Sequence, residues 1–280
     1  MLNGLQMTSL QESLIDRMLQ LEKLDLGDNQ LTDASLPDSF KLLENLVELN
    51  LNSNKFTKIP SSVRKLRNLT RLSLSFNSID SMKGMDKLKK IQVLMMDHNK
   101  FGNIFKDISH LRKLELLDCS HNNIREVGID VRNLKNLREL NMSSNKISVL
   151  PIDVFQLIRL ESLKASHNQI SKIPVFNLNP QHCHCLAEID LSGNAISKFP
   201  GHLLVMTKKL DLSTNRLKAL DWNKMKKIEM KNSQALFVDG NPLTFPPPEV
   251  CECGLRSIMQ FFQETQSNVK VYQGIKVTQA

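Results

Sequence analysis

At 280 residues with 41% apolar side chains, the chain can bury a sizeable core, but only 5% of it is aromatic, which favours thin aliphatic layers over a thick core built on Phe and Trp. The net charge of +8 admits an anionic partner, while five cysteines, an odd number in so long a chain, make no disulfide framework and point to a reducing compartment. No run of 18 apolar residues occurs, so no transmembrane segment is predicted.

In residues 1–19, Gln6, Gln11, Glu12 and Asp16 interrupt any apolar stretch, so no signal peptide is expected. Leu10, Leu14, Met18 and Leu21 fall where the last half of a repeat would place them, without a recognisable polar cap. An uncovered first repeat is the expectation, which fits a fragment or isoform of a longer chain.

From residue 20 to 246 one motif recurs. It reads Leu21-x-x-Leu24-x-Leu26-x-x-Asn29-x-Leu31, and its asparagine returns at Asn54, Asn77, Asn99, Asn122, Asn145, Asn168, Asn194, Asn215 and Asn241, at intervals of 21 to 26 residues. About ten repeats are therefore predicted. Leucines two apart face the same way on an extended strand, so stacked repeats align them in one apolar column, with parallel strands about 4.8 Å apart. The asparagine should end each strand and pair with turning backbone along the stack. Met96, Cys119, Met142, Ala165 and Val238 fill the third apolar slot, which makes Cys119 a packed core thiol. Apolar-Pro pairs such as Ile59-Pro60, Leu150-Pro151 and Ile173-Pro174 predict an extended start to an irregular or short helical return path.

These residues resemble the intracellular leucine-rich-repeat proteins of the Ras-suppressor and Scribble type, with consensus LxxLxLxxNxLxxLPxxLxxLxx, over residues 20 to 250. The resemblance implies an α/β solenoid: a curved parallel sheet on the concave face and a short-helical convex side. It implies an architecture and not a particular partner.

The repeats end in Asn241-Pro242-Leu243 and the prolines 246 to 248, followed by Cys251-Glu252-Cys253. A secreted cap of similar spelling needs further cysteines downstream, and residues 254–280 have none. The stretch resembles the cytoplasmic cap NPLxxPPxEVCxxGxxxIxxF of leucine-rich-repeat proteins that carry a death domain or an IQ motif. A capping helix over 247–265 is predicted, with Cys251, Leu255, Ile258, Met259 and Phe262 on one stripe covering the last repeat and both Cys251 and Cys253 free. Residues 266–280 read as a tail with a partial two-residue period.

No phosphate-cradling glycine motif occurs, and no catalytic set stands out, so the sequence predicts neither an enzyme nor a cofactor. His98, His121 and His167 share one slot, with Asp97 and Asp118 near, a pattern that two neighbouring turns could use for a metal. It is also the ordinary spelling of that slot. His182-Cys183-His184-Cys185 is denser in ligands, but adjacent residues seldom supply four ligands to one tetrahedral ion, and it reads as a solvent loop.

The slots around each inner strand hold thirteen acids, among them Asp25, Asp97, Asp118 and Glu139, against six bases, among them Arg71 and Lys209. The inner face should thus carry about −7 and the remainder about +15. Arg67, Lys89, Lys90, Arg112, Lys113, Lys135 and Arg159 should stack as a basic edge where the chain enters the strands. On the inner face, Val93 and Met95 share one strand face, Leu116 occupies the slot of Val93 one strand over, and Phe76 lies at their edge. Ringed by Arg71, Asp97, His98, Asp118 and Glu139, this is the candidate partner site. The expected function is a non-catalytic, monomeric scaffold, cytoplasmic or nuclear, that binds a protein partner, with a basic segment suiting the acidic face. The alternatives are attachment of the basic edge to nucleic acid or an anionic membrane, with nucleic acid disfavoured for want of aromatic platforms, and a regulatory adaptor of the phosphatase or ubiquitin-ligase type.

Overall fold

A computed structural model describes residues 2–175, 186–220, 235–246, 250–251 and 256–261. Cys253, Leu255, Phe262 and the tail 266–280 lie outside the described residues.

Ten strands form one sheet in chain order, every neighbouring pair parallel. They are β1 (Lys23–Asp25), β2 (Glu48–Asn50), β3 (Arg71–Ser73), β4 (Val93–Met95), β5 (Leu116–Asp118), β6 (Glu139–Asn141), β7 (Ser162–Lys164), β8 (Glu188–Asp190), β9 (Lys209–Asp211) and β10 (Ala235–Phe237). The register is one repeat per rung, with Leu24 opposite Leu49, Leu94 opposite Leu117 and Leu140 opposite Leu163. These central leucines point into a core continuous from Leu10 to Met259, and the residues on either side of each face the concave surface. The chain is an α/β leucine-rich-repeat solenoid.

Each strand is three residues long, and in six of the ten a side chain at the third position helps to end it. Where the third position is Asp or Asn, its carbonyl or carboxylate oxygen accepts the N–H two residues on, as Asp25 does from Gly27, Asn141 from Ser143 and Asp211 from Ser213 at 2.9, 3.1 and 2.9 Å. The residue just before the repeat asparagine then turns left-handed: Asp28, Ser53, Phe76, His98, His121, Ser144, His167 and Thr214 all have φ between 50° and 54°. Gly193 takes the same slot at φ 64°, and a Cβ there would lie 2.7 Å from the ring of His167. The left-handed residue swings the asparagine inward. Asn122 is buried, with its Nδ2 2.9 to 3.1 Å from the carbonyls of Met96, Cys119 and Ser120, while its Oδ1 accepts the Phe101 N–H at 3.0 Å. Asn99, Asn145 and Asn168 repeat this pattern. In every case the side chain reaches back to the preceding repeat.

A second, shorter asparagine series runs where the chain enters the strands. Asn45, Asn68 and Asn136 donate to the carbonyls of Leu19, Glu44 and Arg112 at 2.9, 2.7 and 2.6 Å, each again one repeat back. The return segments carry single turns of helix, among them α1 (Glu12–Ile15), α2 (Phe105–Ile108) and α3 (Ile152–Phe155), and 3-10 turns such as Asp38–Leu42 and Ile129–Asn133. Fully buried Phe40, Phe56, Phe101 and Phe105 fill the layer beneath them.

The first full repeat is not uncovered. Residues 2–7 lie against β1 as half a rung: Leu2 donates to Asp25 at 2.9 Å, Gly4 to Gly27 at 3.1 Å, and Asn29 Oδ1 accepts the N–H groups of Leu5 and Met7. Leu5 stands in the asparagine slot, which hides the half-repeat from the eye. At the other end residues 250–251 and 256–261 are helical, with Cys251, Ile258 and Met259 buried in the common core and the Phe261 ring 5.6 Å from that of Phe245.

Cys119 is fully buried and its thiol donates to the Asn141 carbonyl at 3.3 Å. Burial pushes its pKa well above the usual thiol range, and the Asp118 carboxylate adds to the push. The thiolate is the reactive form, so Cys119 should stay unmodified by iodoacetamide at pH 8 in the folded protein and react only on unfolding. Peptide mass mapping reads this directly, and rapid native labelling would show that the layer opens.

Candidate partner-binding site

The concave face is built from two side chains per strand. Along it, Arg71 of β3 sits opposite Val93 of β4, Val93 opposite Leu116 of β5, and Leu116 opposite Glu139 of β6; in the next row Ser73, Met95, Asp118 and Asn141 line up. Val93, Met95 and Leu116 are half-buried, so each presents part of its apolar surface. On one side Arg71, and on the other Glu139 and Glu115, are exposed and make no ion pair or side-chain hydrogen bond among the described residues. Beside Arg71, a shallow depression of about 340 Å³ runs over β1 to β3, lined by Lys23, Asp25, Glu48, Asn50, Arg71 and Ser73.

Asp118 faces the site but is already engaged. One of its carboxylate oxygens accepts the Ser120 N–H and hydroxyl at 2.9 and 2.7 Å, and the other accepts Asn141 Nδ2 at 2.9 Å. Asp190 and Asp211 are likewise bound to the serines two residues on. Part of the acidity of this face therefore serves strand termination. β4 departs from that rule: its third position is Met95, and the carboxylate moves to Asp97, which accepts the Ser75 hydroxyl and lies 2.9 Å from His98 Nδ1. The displacement opens the apolar slot.

Along the edge where the chain leaves the strands, the left-handed residues stack their rings. Phe76 lies on His98 and His98 on His121, with centroids 4.1 Å apart in both pairs and planes within 12° and 13° of parallel. Phe76, at one end of the column, is 53% exposed. Face-to-face imidazoles hold their nitrogen lone pairs parallel rather than convergent, which does not suit one shared metal ion. Among the described residues no group of three His, Cys, Asp or Glu could hold a metal. His182 to Cys185 lie outside the described residues.

Farther along, Lys209 bridges to Glu188 at 2.6 Å with its ammonium 5.7 Å from the centre of the Phe237 ring. The hydrogen bond that Lys209 donates to Glu188, with the charges of Glu188, Asp211 and Asp190, outweighs desolvation and holds Lys209 above the usual lysine range. Cations on the strands of this face thus divide, among the described residues, between paired Lys209 and Lys23, the latter 3.0 Å from Glu48, and unpaired Arg71 and Lys164.

Leucine-rich-repeat profiles match residues 20–79 and 44–101, and a two-copy leucine-rich-repeat profile matches 112–152. Comparison with curated proteins returns no match. Among solved structures the chain is similar to a leucine-rich-repeat protein of Leptospira interrogans, at 24% identity and TM-score 0.58, covering 87% of this chain and 78% of that one. It is also similar to the leucine-rich-repeat ectodomain of the Arabidopsis thaliana receptor kinase GASSHO1/SCHENGEN3, solved in complex with CASPARIAN STRIP INTEGRITY FACTOR 2, at 24% identity and TM-score 0.69. That match covers 84% of this chain, which spans only 29% of the ectodomain. A plant peptide hormone receptor, RGFR1 in complex with RGF2, matches at 23% identity and TM-score 0.59, over 80% of this chain and 40% of the receptor. At these identities the likeness shows the fold. No described helix is long and apolar enough to cross a membrane.

Proposed function

We propose that this leucine-rich-repeat solenoid is a non-catalytic, monomeric adaptor that binds a protein partner across β3 to β6. The observation that carries the reading is the apolar centre of Val93, Met95 and Leu116 on a face whose other outward strand positions from β1 to β9 are polar, with unpaired Arg71 on one side and unpaired Glu115 and Glu139 on the other. An apolar centre with a polar rim is how binding energy concentrates at an interface. A preformed sheet also loses little conformational freedom when a partner docks. Phe76, His98 and His121 extend the surface toward the strand-leaving edge, where a partner's aromatic or aliphatic side chain could continue the ring column. The excess of free carboxylates on the β5–β6 side suits a partner segment with an apolar anchor followed by a basic residue. Peptide-bound neighbours of the same fold support the use of the scaffold, not the identity of the partner. The odd number of cysteines, with Cys119 buried in the core as a thiol, suits a reducing compartment, and we propose the cytoplasm or nucleus as the protein's location.

A photo-crosslinking amino acid at Leu116 tests this in cells, with the same group at exposed Arg125 on the return segment as the comparison. Adducts to one protein from position 116 and none from 125 are expected. Equal capture from both positions, or none from 116, would overturn the concave site.

A further inference from the structure

We infer that the edge where the chain enters β3 to β7 is a docking surface for an anionic membrane. The turn before β4 presents Lys89 and Lys90, and the turn before β5 presents Arg112 and Lys113, all exposed. Arg67, Lys135 and Arg159 extend the row to β3, β6 and β7, and they too are exposed. None of the seven takes part in an ion pair among the described residues; Lys90 alone has a side-chain hydrogen bond, to Asn68 at 2.7 Å. The register stacks these turns at the strand spacing of about 4.8 Å, which makes the cationic row about 20 Å long.

In the three outward slots of these turns, three, four and six residues before each strand, no acid occurs from β3 through β7. The flanking acids are Glu44 in the turn before β2, Asp86 beside Lys87, and Glu115 and Glu161 on the sheet side, Glu161 being 3.1 Å from Arg138; Asp38 is already bonded to Lys41 and Lys65. At both ends of the row a large apolar side chain takes a slot that the middle rungs give to a cation or polar group. These are Leu42 before β2, 48% exposed, and Ile158 before β7, 50% exposed. They stand about five strand spacings apart, roughly 24 Å.

A cationic strip bracketed by two exposed aliphatic side chains suits a surface with anionic head groups above an apolar layer. A single-stranded nucleic acid would instead call for a series of aromatic platforms, and these slots hold no Phe, Tyr or Trp and a single imidazole, His110. Docking through these turns, which precede the strands, leaves the side chains of the strands themselves open to a protein partner. The two surfaces therefore fail or succeed independently.

Co-sedimentation of the full chain with vesicles tests the proposal, comparing phosphatidylcholine alone with phosphatidylcholine carrying about a third phosphatidylserine. Binding to the anionic vesicles only, weakening steeply with salt, is expected. Each cation at such a surface strengthens binding roughly fivefold, so replacing Lys89, Lys90, Arg112 and Lys113 by Gln should weaken it at least a hundredfold with an unchanged melt. Leu42→Ser with Ile158→Ser should weaken it several-fold while the salt dependence stays. Equal binding to both vesicles, no binding, or a Leu42/Ile158 pair without effect alongside tighter binding to a single-stranded RNA would overturn the membrane assignment.

Discussion

Asn122→Ala should lower the stability of the solenoid by about 3 kcal/mol, because it strips a buried layer of four hydrogen bonds at once. The Phe101 N–H loses its acceptor in a buried site, and the Met96 carbonyl keeps only the longer contact from Asn99 at 3.2 Å. Alanine cannot replace these bonds, and its smaller volume adds a void in a fully buried layer beside Met96 and Cys119. The thermal midpoint should fall by roughly 6 to 10 °C. A partner that contacts only the concave face should still bind the folded fraction. An unchanged melt would mean that the ladder holds no energy at its centre.

Met95→Ser together with Leu116→Ser should weaken partner binding at least a hundredfold, about 3 kcal/mol, while costing each site no more than roughly 1 kcal/mol of stability. Both side chains are half-buried on the sheet face rather than part of the core layer, so their loss removes contact area more than packing. Serine adds no charge, so the effect cannot come from repulsion with Glu115 or Glu139. Isothermal titration with the protein captured through position 116 measures it. Retained affinity in a normally folded double variant would remove the apolar centre from the interface.

Much of the solenoid is legible in the sequence because its energetics are periodic. Equivalent slots become neighbours, so Val93 and Leu116 were paired by counting alone, and the register bears that out. The rings of Phe76, His98 and His121 occupy one slot in successive repeats, yet their stacking depends on the left-handed turn, which no spacing announces. Asp118 reads as surface charge until the Ser120 N–H is seen 2.9 Å away. The same holds for the half-repeat at residues 2–7, masked because Leu5 stands where an asparagine would be needed only to reach a preceding rung. The shorter series of Asn45, Asn68 and Asn136 was visible as a thrice-repeated Leu-x-Asn-Leu, and its role follows once strand-entering turns are seen to stack.

The backward reach of every repeat asparagine gives the molecule a direction of assembly. As the chain leaves the ribosome amino end first, each new asparagine meets carbonyls and N–H groups that are already fixed, so a rung is satisfied the moment it docks. Residues 2–7 supply the foundation on which Asn29 closes the first such rung. Loss of the outermost rung from the carboxyl side leaves one backbone N–H without its asparagine acceptor, whereas loss from the amino side leaves the next asparagine amide itself without its inter-repeat partners. The ladder is thus completed in the order in which the chain is made.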